Sequence, residues 1–137
     1  MGLILDSSVV IAAERRGDTI TGFLRYVASS IGDERVALSS VGLTELVHSI
    51  YRAPTPAARM QRQNFLTQLL LDVEAVPYTK DTAFLAGRID GEQRARGVTI
   101  PMVDLLIGAT ALEYGYSLAT ANLRHFRLIP GLNVISL

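Results

Sequence analysis

The chain has 137 residues, and its thirteen basic and thirteen acidic residues give a formal net charge of zero. That length suits one domain, spanning 1–137, and the missing positive charge excludes a simple polycation held to nucleic acid by many phosphate contacts. A 49% hydrophobic, 19% charged composition argues against intrinsic disorder, and the lack of cysteine excludes disulfides, thiolate zinc sites and a cysteine nucleophile.

Gly2-Leu3-Ile4-Leu5 is an unbroken apolar run, the pattern of a strand covered on both faces. It stops at Asp6-Ser7-Ser8, a strand end leading into a helix cap. Asp6 also interrupts the run before it can form a signal-peptide core. Val9 to Arg15 reads as a short helix and Thr19 to Ser30 as a second. Val36 to Leu38 is a short strand. Ser39 or Ser40 caps the next helix, which carries Glu45 and ends near Tyr51. After Pro54 and Pro56, a helix runs from Ala57 to Leu71, then a strand from Val73 to Pro77. Thr79 or Lys80 opens a helix that Gly97 ends. Pro101 suits a first helical turn before Met102 to Tyr114, and Gly115 suits its C-cap. Ser117 to Thr120 is a strand, 121–126 a loop or short turn, and Asn133 to Ser136 a last strand. Strands alternating with helices predict a parallel sheet with helices on both faces. No apolar run reaches membrane length, and the chain is expected in the cytoplasm.

In open parallel sheets, ligands bind at the carboxyl ends of strands. Those ends carry Asp6, Ser39-Ser40 before Glu45, and Thr120 before Asn122. Asp104 joins them from the first turn of a helix that is apolar nearly all round, where an unpaired carboxylate is costly. Gly108 and Ala111 lie beside it at helical spacing and leave room for something to approach. Asp104 also suits the helix dipole at that position. Taken alone, Asp6 reads equally as an N-cap or a metal ligand. Glu45 alone reads as an ordinary solvated glutamate, Asn122 as turn chemistry, and His48 and His125 as surface or capping residues. Together, hard oxygen groups without cysteine suit Mg²⁺ or Mn²⁺ rather than zinc. Carboxylates about 5 Å apart at an effective dielectric of about 20 repel by roughly 3 kcal/mol per pair, which a divalent cation would relieve. Such a site activates water for attack on phosphoryl groups. Most arginines read as solvated faces, while Arg124, close to the cleft, is placed to hold a phosphate backbone.

Four segments carry a family resemblance over essentially the whole chain. They are Leu3 to Ile11 around Asp6, Ser40 to Leu46 around Glu45, Ile100 to Leu112 around Asp104, and Leu118 to Phe126 with Ile129 to Leu132 behind it. In order and spacing they resemble PIN-domain ribonucleases, specifically the VapC toxins of toxin–antitoxin modules. The resemblance implies a three-layer α/β/α fold with a short, mostly parallel sheet. It implies a metal-dependent endoribonuclease acting on tRNA or ribosomal RNA, a homodimer, and a VapB-type antitoxin that often pushes a basic side chain into the acidic cleft. Asp6, Glu45 and Asp104 would be the metal ligands, with Mg²⁺ or Mn²⁺ as cofactor. Ser7 or Ser8 would support Asp6, and Thr120 would sit beside them. Asn122 takes a catalytic position where many relatives carry a fourth acidic residue, so a second ion would be held less tightly.

Two other classes compete. A PIN-like module without catalysis, acting through its partner, is motivated by Asn122. An aspartyl-phosphate enzyme is motivated by the aspartate after the first strand. Against it, Ser8 stands where a second Asp would be needed, and Lys80, the sole lysine, precedes a helix. Dinucleotide, P-loop and nucleophile-elbow motifs are missing.

Overall fold

A computed structural model describes residues 2–137. The elements run β1 (Gly2–Leu5), α1 (Ser7–Arg15), α2 (Ile20–Ile31), β2 (Arg35–Ser39), α3 (Ser40–Tyr51), α4 (Pro56–Asp72), β3 (Glu74–Val76), α5 (Lys80–Ala95), α6 (Met102–Tyr114), β4 (Ser117–Thr120), α7 (Leu123–Phe126) and β5 (Val134–Ser136). The strands form one sheet in the order β3-β2-β1-β4-β5. Every pairing is parallel, so the expected mostly parallel sheet is parallel throughout.

Alternate residues of β1 serve two cores, which is why its sequence never alternates with polar residues. Leu3 and Leu5 join Leu38 and Ala119 under α1, α2, α3 and α4. Ile4 joins Ala37, Val76 and Leu118 under α5 and α6, with Phe126 of α7. The result is the expected three layers. Helix α6 touches β1, β2, β4, α3, α5 and α7, so most of its faces need apolar residues.

Most helix starts follow their caps. Ser39, not Ser40, caps α3 by accepting from the Gly42 N–H at 2.9 Å, and Thr79 caps α5 through the Thr82 N–H at 3.2 Å. Ser40 instead donates to the Val76 carbonyl at 2.8 Å, tying α3 to β3. Gly115 ends α6 with φ 69°, the left-handed conformation that favours glycine. Segment 121–126, expected as a loop or short turn, winds into the one-turn α7.

Gly108 has a different purpose from the one its spacing suggests. A Cβ there would run into Ile129 Cδ1, so the room beside α6 is filled by the chain itself and not left for a ligand. Arg62 also departs from expectation. It donates to the Ser49 carbonyl at 2.6 Å and faces Glu14 at 3.8 Å, joining α4 to α3 and α1.

Candidate active site

Parallel strands put the ends of β1, β2 and β4 on one edge of the sheet, and that edge gathers the polar groups. Asp6 occupies the N-cap position of α1, yet its side chain makes no capping bond. Its Oδ2 instead accepts from Ser8 Oγ at 2.7 Å and from Thr120 Oγ1 at 2.8 Å. The capping explanation for Asp6 therefore fails. Each hydroxyl has one proton, and both are committed to Asp6. Ser8 then accepts from the Ala121 N–H at 3.1 Å, and Thr120 from the Asn122 N–H at 2.9 Å. The clamp thus welds β1 to the segment after β4.

Glu45 does not stand on a solvated face. It is half-buried on α3, and its Oε1 accepts from Ser7 Oγ at 2.9 Å. Asp104 reaches in from the first turn of α6. His125 Nδ1 lies 2.7 Å from its Oδ2, and since a carboxylate only accepts, the imidazole donates. His125, expected as a surface or capping residue, is therefore part of the site. Its signal was present in the sequence: it stands three residues after Asn122, which places both on one side of a helical turn. Asn122 Nδ2 lies 3.3 Å from the same Nδ1. An Nδ1 that donates to Asp104 offers no lone pair, so Asn122 touches the ring without bonding to it. His48 is exposed. Arg124 is exposed beside His125 and makes no hydrogen bond or ion pair among the described residues.

The electrostatics couple the acids. Burial, together with the charges of Asp6 and Asp104, raises the Glu45 pKa against the opposing Ser7 bond. Burial and the charge of Asp6 raise Asp104 against the opposing His125. No arginine or lysine pairs with any of the three among the described residues.

Asp6, Glu45 and Asp104 thus share one pattern. One oxygen of each is held by a donor, while Asp6 Oδ1, Glu45 Oε2 and Asp104 Oδ1 take no hydrogen bond among the described residues and none is sealed from solvent. Three uncompensated carboxylates, each with a free oxygen, suit a hard divalent cation. As the side chains stand, no three acidic or histidine groups among the described residues are spaced to hold an ion, so binding would have to draw them together.

Two predictions follow from this geometry. Thr120 is fully buried, and Thr120→Val removes a donor from Asp6 and strands the Asn122 N–H. A loss of about 1–3 kcal/mol is expected, read from the urea midpoint. The second concerns pH. Because the folded protein holds the Glu45 proton more tightly than the unfolded chain does, this group's effect on stability worsens as pH rises through the raised pKa. Without divalent cations, Glu45→Gln should melt above the parent protein at neutral pH. The difference should close below the ordinary glutamate range, as followed by thermal melts across pH.

The PIN domain model matches residues 3–132. A protein named Ribonuclease VapC1 from Rickettsia felis is 31% identical over 99% of this chain and 96% of that relative. A tRNA(fMet)-specific endonuclease VapC from Salmonella typhimurium is 26% identical over 77% of each chain. Among solved structures, VapBC2 from Rickettsia felis, bound to a promoter DNA fragment, has a TM-score of 0.86 at 23% identity, covering 100% of this chain and 99% of that one. Fold, chain length and motif order agree with these matches, and the chain belongs to the PIN-domain family, alongside the VapC ribonucleases.

Proposed function

We propose that this chain is a metal-dependent endoribonuclease, the toxin of a VapBC-type module, acting on structured RNA such as tRNA or ribosomal RNA. The observation that carries the proposal is the set of three coupled carboxylates, each held through one oxygen and open at the other. The names of the relatives support RNA as the substrate, and the name of the Salmonella protein favours tRNA.

Asp6, Glu45 and Asp104 would hold Mg²⁺ or Mn²⁺, which when bound supplies Lewis acidity toward a phosphoryl oxygen and lowers the pKa of water. The chain's own groups do the positioning. Ser8 and Thr120 fix Asp6, and Ser7 fixes Glu45. Asn122 adds no charge, so one resident ion suits the site better than two. Arg124, unpaired at the rim, would hold a backbone phosphate by a forked contact. Asp6 at the end of β1 and helix positions on α1, α3, α6 and α7 beside the same sheet edge would keep these groups in register.

The partner would be a VapB-type antitoxin, as in the Rickettsia complex. The uncompensated acids suit a basic side chain from such a partner. No helix among the described residues is long and apolar enough to cross a membrane. A homodimer is the expected assembly.

The test is purified, antitoxin-free protein incubated with total bacterial RNA and Mg²⁺ or Mn²⁺, followed by end mapping. Discrete fragments with 5′-phosphates, absent with EDTA, are expected. No cleavage with either metal would leave an inactive module that acts by binding its partner.

A further inference from the structure

We propose that His125 is the positioning residue for Asp104, holding that carboxylate so that only its second oxygen is offered to the divalent cation. The proposal rests on the metal-dependent reading above and extends it to a side chain outside the acidic set.

Each acid of the site has its own holder. Hydroxyls hold Asp6 and Glu45, from Ser8 and Thr120 in one case and from Ser7 in the other. Asp104 takes no hydroxyl hydrogen bond among the described residues, and its holder is the imidazole at 2.7 Å. Among the described residues, His125 is the one group hydrogen-bonded to Asp104 Oδ2. The ring is itself well placed to act as a holder. Its neighbour Phe126 is fully buried in the α5–α6 core, the Leu128 carbonyl accepts from Gln93 Nε2 at 2.8 Å, and the Asn122 N–H is tied to Thr120. The backbone on both sides of His125 is therefore anchored, while the side chain remains one-third exposed at 34% and faces Asp104 at 19%. Groups that orient metal-bound carboxylates set their affinity as well as their geometry.

Mn²⁺ alone, titrated by calorimetry into the full chain, tests this. His125→Ala should weaken Mn²⁺ binding by about 10-fold or more. His125→Asn carries an amide N–H at the distance from Cβ of the Nδ1 it replaces, and should bind within a few-fold of the parent. His125→Gln places its N–H near the site of Nε2 and should stay as weak as His125→Ala. In an Asp104→Asn background, His125→Ala should cost nothing further. Thermal melts check that each variant folds, and if His125→Ala does not, the Asn and Gln pair still decides.

Unchanged affinity in a folded His125→Ala protein would overturn the proposal. So would rescue by Gln and not Asn, which would make Nε2 the working atom, or a full further loss in the Asp104→Asn background. No Mn²⁺ binding by the parent protein would overturn the metal-dependent reading itself, and that failure shows before any variant is made.

Discussion

Asp104→Asn is expected to lower RNA cleavage at least about 100-fold and leave the fold intact. Even groups that only support a metal ligand cost about 10–100-fold when removed, and a ligand should cost more. The substitution keeps the size of the side chain, and the amide oxygen can still accept from His125 Nδ1, so the α6–α7 contact at 2.7 Å need not break. It removes a charge whose burial and repulsion from Asp6 already make ionisation unfavourable in the fold. The variant should therefore melt at or above the parent in the absence of metal. Initial rates on a single mapped RNA, with melts of both proteins, check this. Retained cleavage would remove Asp104 from the mechanism, and a collapsed melt would make it a structural residue.

Phe126→Ala should be the most damaging change to stability near the site. The ring is fully buried in the second core, in one cluster with Leu118, Ile129 and residues of α6. Truncating such a ring costs about 3–5 kcal/mol, a large share of the roughly 5–15 kcal/mol that holds a domain together. That corresponds to roughly 10–17 °C in melting temperature for a chain of this size. Because Phe126 anchors the one-turn α7 that carries His125, weaker Mn²⁺ binding should appear even below the melt. Phe126→Leu fills part of the cavity and should recover much of both losses. Unfolding in urea gives the stability, and a Mn²⁺ titration below the transition gives the coupling.

The layers were legible wherever one local pattern forces one environment. Leu3, Ile4 and Leu5 without a polar partner demanded cover on both faces, and the two cores supply it. The apolar circumference of α6 likewise marked Asp104 as a carboxylate needing a partner. Asp6 was ambiguous because an N-cap and an open acid read alike in sequence. Ser8, two residues on, was within reach of the sequence, but Thr120 became a visible partner only when parallel pairing brought residues 114 positions apart to one edge. Glu45 looked solvated because a helical wheel shows neighbours on its own helix and not Ser7 of another. His125 was missed for the same reason, since its partner comes from a different helix 21 positions earlier. Gly108 misled in the opposite sense. Small residues do open space beside a helix, but whether a ligand or the chain's own Ile129 fills it is decided by tertiary packing.

In the function proposed above, Asp6, Glu45 and Asp104 form one cation-dependent site for RNA cleavage. Its most direct test is the cleavage rate of one mapped RNA as Mg²⁺ is raised from zero, set beside Mg²⁺ binding by calorimetry on the same protein and on Asp6→Asn. The rate should be negligible in EDTA and saturate over the concentrations at which the ion binds, with both signals lost in Asp6→Asn. Cleavage that persists in EDTA, or that survives Asp6→Asn with its Mg²⁺ dependence unchanged, would contradict it.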